Sequence, residues 1–234
     1  MKCDVAVVGG GPAGLAAARG IQRASPGARV VVLERRPRLE PLGSGIVLGV
    51  NAIRAMEFVA PKPLDEVIAS SRKEASRTRI YKHSPFGVPK GIEEHAVLDS
   101  YGEEHTVIEG TPQWDAAEAK YGVRPCPTAW HLLQSALARD LPDETELRLG
   151  ASVTAIKESS AGGLRIAIDG SDEDVEARLV VGADGYFSRV RSQFIGDGPP
   201  EYVGSAVIRA LVDQPEDGDS ILYSGDNKVS VQRL

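Results

Sequence analysis

Residues Gly9-Gly10-Gly11-Pro12-Ala13-Gly14 fit the pattern G-x-G-x-x-G, and an acidic residue, Glu34, stands 20 positions beyond Gly14. Such a pattern acts through geometry. Gly9 permits a tight turn, Gly11 lets the backbone approach a pyrophosphate, and Gly14 lets a helix and a strand pack closely. A helix opening at Pro12 and Ala13 offers unpaired N–H groups and a partial positive charge to phosphates. Glu34 can accept hydrogen bonds from adenosine ribose hydroxyls and disfavours a 2′-phosphate. The glycines alone carry little weight, but an apolar run precedes them and a second run ends at Glu34, as a βαβ unit requires. The alternative is a glycine-rich turn with no ligand. The residues predict a dinucleotide site without choosing between NAD and FAD, which share the motif. Arg35 and Arg36 can face cofactor phosphate or solvent, and Arg35 is grouped with the site.

Two further stretches carry candidate chemistry. Gly43-Ser44-Gly45-Ile46-Val47-Leu48, followed by Asn51-Ala52, has the small residues that suit a loop lying against a planar ring. An ordinary glycine loop before a capped helix fits it too. Leu179-Val180-Val181-Gly182-Ala183-Asp184-Gly185 reads as a strand whose end presents Asp184 at the ligand edge of an α/β sheet. Ser188 and Arg191 are expected on one face of the helical turn that follows.

With these segments in view, the sequence resembles the FAD-dependent aromatic hydroxylases, single-component flavoprotein monooxygenases of the para-hydroxybenzoate hydroxylase fold. The stretch from Gly43 is similar to the family's G-x-G-I-x-L-x-x-N-A, and Asp184 to Arg191 to its D-G-x-x-S-x-x-R. The resemblance implies bound FAD. Its site would comprise the glycine motif with Glu34 and Arg35, then Gly43, Ser44 and Gly45, then Asp184, Gly185, Ser188 and Arg191. It also implies NADPH or NADH as a transient donor, and transfer of one oxygen atom from O2 to a small organic, aromatic substrate. In such enzymes the cofactor carries the hard chemistry, so no catalytic residue is assigned. Pro127 to Leu133 resembles the start of the family's mid-chain helix, where many relatives carry a cofactor-contacting arginine. Thr128, Ala129 and Trp130 stand there instead, so no arginine contact is carried over, and Trp130 reads as core.

Positioning these residues needs an α/β scaffold. Cys3 to Val8 and Arg29 to Leu33 read as buried parallel strands, with a helix over Pro12 to Ala24 between them. A short helix is expected over Asn51 to Val59, capped by Asn51. Residues 61 to 125 alternate in short runs, such as Thr78 to Tyr81 and Ala96 to Leu98, and predict an antiparallel sheet with loops. Trp130 to Leu141 reads as a helix. Thr145 to Ile156, Leu164 to Ile168 and Val175 to Val181 read as strands, with Asp172-Glu173-Asp174 at a solvated hairpin tip. Lys228 to Arg233 reads as a further strand. The expected fold is thus α/β: a Rossmann-like FAD-binding βαβ domain, 1–70 and 124–197, interleaved with an antiparallel substrate-binding sheet, 71–123 and 198–234, incomplete at the C-terminus.

The chain has 234 residues, 42% hydrophobic and 26% charged, enough for a sizeable core and, at about 150 residues per domain, one or two domains. Two cysteines, Cys3 and Cys126, exclude a disulfide scaffold, and Cys126 reads as a passive apolar residue. The net charge of −6 argues against nonspecific nucleic-acid or anionic-membrane binding. Val5 to Ala18 is too short and too broken by glycine to be a membrane span or signal peptide, which points to a cytoplasmic protein. His83, His95, His105 and His131 lack metal-ligand spacing, and His95 and His105 read as exposed loop residues. The family's second flavin motif, G-D-A-x-H-x-x-x-P-x-x-G, does not occur in these residues. Two other readings therefore stand beside a monooxygenase: a truncated or split FAD-binding polypeptide completed by a second polypeptide, and a flavin oxidoreductase without oxygen insertion.

Overall fold

The computed structural model describes residues 1–41, 43, 45–71, 77–82, 104–109, 112–139, 141–160, 162–196, 198, 201–202, 220–224 and 230–231. Strand β1 (Lys2–Val8) leads through a glycine turn into α1 (Pro12–Ala24), and the chain returns along β2 (Val30–Glu34). All five residues of β2 are buried, because both faces of a parallel strand are covered. Val5 and Val7 meet Leu15 and Ala18 of α1 on one face, while Ala6 and Val8 join Val31 and Leu33 on the other. β1 and β2 pair in parallel, with Val5 opposite Val30 and Val8 opposite Leu33.

Around this unit grows a six-stranded sheet of order β7-β2-β1-β10-β9-β8, made with β7 (Thr145–Leu149), β8 (Val153–Glu158), β9 (Leu164–Ile168) and β10 (Val175–Gly182). β7, β2, β1 and β10 run parallel, and β9 and β8 continue antiparallel. The acidic tip at 172–174 joins β9 to β10, as expected of a hairpin. One face is covered by α1, α2 (Val50–Val59), α3 (Pro61–Ser70) and α5 (Trp130–Ala138), whose Ile53, Met56, Leu64, Val67, Leu133 and Leu137 complete the core. A two-stranded ribbon of β3 (Gly45–Leu48) and β6 (Cys126–Ala129) sets Gly45 opposite Ala129. A separate four-stranded sheet, in the order β12 (Ser230–Val231), β11 (Ser220–Ser224), β4 (Arg77–Lys82), β5 (Glu104–Glu109), has two antiparallel pairs joined by parallel β4 and β11. Cys3 and Cys126 are both buried and neither is in a disulfide. No helix among the described residues is long and apolar enough to cross a membrane.

Several expectations are corrected. Residues 61–70 and α4 (Pro112–Tyr121) are helical rather than part of an antiparallel sheet. Pro61 fits the first turn of α3, and buried Pro63, Leu64 and Val67 form a stripe with helical spacing. In α4, Asp115 in the first turn and Lys120 in the last complement the helix dipole. Asn51 does not cap α2: the helix starts at Val50 after Gly49 with no side-chain cap. The strand expected over Thr145 to Ile156 is two strands. Gly150, at φ +72°, turns the chain so that Gly150 and Ala151 donate to the carbonyls of Arg36 and Glu34. Helix α5 stops at Ala138 rather than Leu141, where Arg19 donates to the Leu137 and Arg139 carbonyls. His105 lies in strand β5 rather than in a loop. His83, His95 and Ala96 to Leu98 lie outside the described residues, as does most of the expected strand over Lys228 to Arg233.

Leu15 is fully buried where α1 meets β1. Leu15→Ala is expected to lower unfolding free energy by about 2–5 kcal/mol, read from chemical denaturation.

Candidate functional site

The glycine motif sits at the carboxyl ends of β1, β2 and β10, wedged among them. Gly9 donates its N–H to the Leu33 carbonyl at 2.8 Å, and Ala183, just past β10, donates to the Val8 carbonyl at 2.8 Å. Gly9 has φ +109°, and a Cβ there would lie 2.3 Å from the Ala183 carbonyl oxygen. A Cβ on Gly14 would lie 1.9 Å from the Gly9 oxygen, and one on Gly10 would lie 2.8 Å from Glu34 Cβ. These three positions are glycine because the strands and helix leave no room for more.

The Gly10 peptide is held from both sides. Its N–H donates to Glu34 Oε2 at 2.7 Å, and its carbonyl accepts from Gln134 Nε2 of α5 at 2.7 Å. Glu34 Oε1 accepts the Arg36 N–H at 2.9 Å. Each carboxylate oxygen keeps a further lone pair for another donor. Glu34 and Gln134 are both buried, and Arg35 is exposed. Sequence reasoning missed Gln134. Its signal was a polar residue on the apolar stripe of Trp130, Leu133 and Leu137, where a buried amide must find a partner.

The N-terminus of α1 is open to an anion. Gly11 is its N-cap with no side-chain cap bond, Pro12 opens the helix, and no acidic residue occupies the first turn. The N–H groups of the first turn, Ala13 and Gly14 among them, have no acceptor within the helix and are the donors an anion there would meet. Gly11 is less crowded by protein than its neighbours in the motif. The space beside it, where a Cβ would sit, is bounded by Trp130 Cζ2 at 3.7 Å, so an alanine would fit. A Cβ on Gly43, at φ +106°, would lie 3.3 Å from Trp130 Cβ and 3.5 and 3.6 Å from its indole atoms Cε3 and Cγ. Trp130 is accordingly part-buried between two glycine loops rather than core. Gly45 opens β3, and Ser44 lies outside the described residues.

Beyond β10, Asp184 lies next to the motif: its Cα would be 3.0 Å from a Cβ on Gly9. Its carboxylate organises its own loop. It accepts from Ser188 Oγ at 2.5 Å and from the N–H groups of Arg189 and Val190 at 2.7 and 3.2 Å. Ser188 is the N-cap of α6 (Arg189–Phe194) and accepts from Arg191 N–H at 3.0 Å. The Arg191 guanidinium donates to the Tyr186 carbonyl at 2.8 Å. Gly185, at φ +81°, makes the turn. The structure thus brings Gly9 to Gly14, Glu34, Gly43 and Asp184 to one sheet edge. Among the described residues, no three His, Cys, Asp or Glu side chains gather as a metal site would require.

A family model of the FAD binding domain matches residues 2–215. The chain belongs to that family. Among curated FAD-family relatives, it is 31% identical over 214 residues to 3-amino-4-hydroxybenzoate 2-monooxygenase of Streptomyces cremeus, covering 89% of this chain and 46% of that protein. It is 26% identical over 212 residues to 6-hydroxynicotinate 3-monooxygenase of Pseudomonas fluorescens, covering 91% of this chain and 48% of that protein. The chain spans about half the length of the curated relatives it matches. Its fold is similar to that of the flavin-dependent monooxygenase PieE, solved with FAD and substrate, at TM-score 0.64 and 21% identity over 84% of this chain and 32% of that one. It is likewise similar to aklavinone-11 hydroxylase, solved with FAD and aklavinone, at TM-score 0.63 and 23% identity over 83% and 35% of the two chains.

The contrast between two glycines of the FAD-family motif is testable. Gly14→Ala has no space and is expected to unfold the domain or lower its melting temperature sharply. Gly11→Ala meets only the indole and is expected to fold with a melting temperature near that of the parent chain. Thermal unfolding followed by circular dichroism checks both.

Proposed function

We propose that these residues bind FAD and that the protein they belong to is a monooxygenase inserting one oxygen atom from O2 into a small aromatic substrate, with NADH or NADPH as electron donor. The observation that carries the reading is the turn from Gly9 to Gly14: a peptide group fixed by Glu34 and Gln134 beside an uncapped helix N-terminus, in a chain of the FAD-binding family. The relatives named above as monooxygenases support the reaction class. Because the chain spans about half their length, FAD binding is proposed for these residues and oxygen transfer for the whole protein.

The residues fit the cofactor. Pyrophosphate would be held by the N–H groups of Ala13 and Gly14, with Pro12 fixing the first turn. The adenosine ribose would donate to the free lone pairs of Glu34, and exposed Arg35 would lie beside it. Gly43 and Gly45, with the small Ser44 between them in sequence, would let the backbone approach the remainder. Asp184 and Ser188 would act by holding the Gly185 turn at the edge of the site, and Arg191 by fixing the Tyr186 carbonyl. Bound FAD would supply two-electron redox chemistry and reaction with oxygen. The six-stranded sheet and its helices, 1–70 and 124–197, would form the FAD-binding part. The four-stranded sheet, within 71–123 and 198–234, would form the substrate-binding part.

The test is a titration with FAD followed by its visible absorption. The chain is expected to bind, and Glu34→Ala to weaken binding by about tenfold or more, from loss of charge-assisted hydrogen bonds. With NADH or NADPH and an aromatic compound, the whole protein is expected to consume oxygen and yield hydroxylated product. Cofactor reduction with no oxygen in the product would favour the plain oxidoreductase instead.

A further inference from the structure

The indole of Trp130 has a placement that the glycine motif does not explain. Its Cζ2 borders the space where a Cβ on Gly11 would sit, and its Cε3 and Cγ, with the side chain's Cβ, border the same space at Gly43, so the side chain lies between the two loops. Two elements hold it there. One turn along the same face of α5, Gln134 is bonded to the Gly10 carbonyl, which ties the start of the helix to the motif. Pairing of Gly45 with Ala129 ties the Gly43 loop to the residue just before Trp130. Yet Trp130 is part-exposed, while Leu133 and Leu137 on the same helix are buried. A residue serving only the core would follow those leucines inward.

We propose that Trp130 is a binding residue of the dinucleotide site, an uncharged aromatic wall against the ribityl-flavin half of the cofactor. The proposal rests on the FAD-binding reading above. A dinucleotide laid from Glu34 across the Ala13 and Gly14 amides spends its adenosine ribose at the carboxylate and its pyrophosphate at the helix. Its other half then reaches the gap between Gly11 and Gly43, where the indole stands. A flat, polarisable ring at that point favours a conjugated or apolar ligand surface over a charged one. Glycine at 43 keeps the indole uncovered, since its φ of +106° and the short approach both oppose a side chain.

Calorimetric titration of the chain with FAD and, separately, with ADP tests this. ADP carries the ribose and pyrophosphate contacts but no flavin. Trp130→Ala is expected to weaken FAD by about tenfold and leave ADP affinity unchanged, and Trp130→Phe to retain most of the FAD affinity. Equal weakening of FAD and ADP, or no change in either, would overturn the role of Trp130 while leaving the dinucleotide reading intact. A parent chain that binds neither ligand would overturn that reading and this one with it. Melting temperatures of the ligand-free variants separate lost contact from lost packing.

Discussion

The arrangement depends on one peptide group. The N–H of Gly10 is taken by a buried carboxylate on β2 and its carbonyl by a buried amide on α5, both at 2.7 Å. Hydrogen bonds of this kind are worth most where water is excluded, and an unmet partner there would be costly. Through them the end of β1, the end of β2 and the start of α5 are fixed to a single point. The helix N-terminus that follows, with no side-chain cap, is positioned from that point.

Around this centre the sequence solves a steric problem. Gly9, Gly10 and Gly14 are crowded by Ala183, Glu34 and one another, so the turn is dense before any ligand is considered. The close approach that glycines grant is largely approach to protein, between strand, strand and helix. Gly11 differs, since its neighbour is an indole at van der Waals distance. The second motif works in the same way. Asp184 spends its carboxylate on Ser188, Arg189 and Val190 and thereby shapes the backbone it carries to the sheet edge.

Much of this was legible in the residues. The runs of β1 and β2, the limits of α1 and the position of Glu34 follow from periodicity and from the glycine motif, because local patterns decide them. The helices α3 and α4 were not legible as helices: proline and alternating charge obscured α3, and α4 has no distinct apolar stripe. The break at Gly150 was missed because the carbonyls that draw the chain aside belong to Arg36 and Glu34, more than a hundred residues earlier. Gln134 showed only as a polar residue on an apolar stripe, and its partner was not legible because only tertiary packing brings α5 to the turn.

The most direct measurement is the amide spectrum of the ¹⁵N-labelled chain during titration with ADP. The account predicts that the amide resonances of Ala13 and Gly14 shift first and furthest. It also predicts that the Gly10 amide, held by Glu34, is protected from solvent exchange both with and without ligand. Shifts confined to other parts of the chain, or a Gly10 amide that exchanges freely in the ligand-free protein, would contradict it.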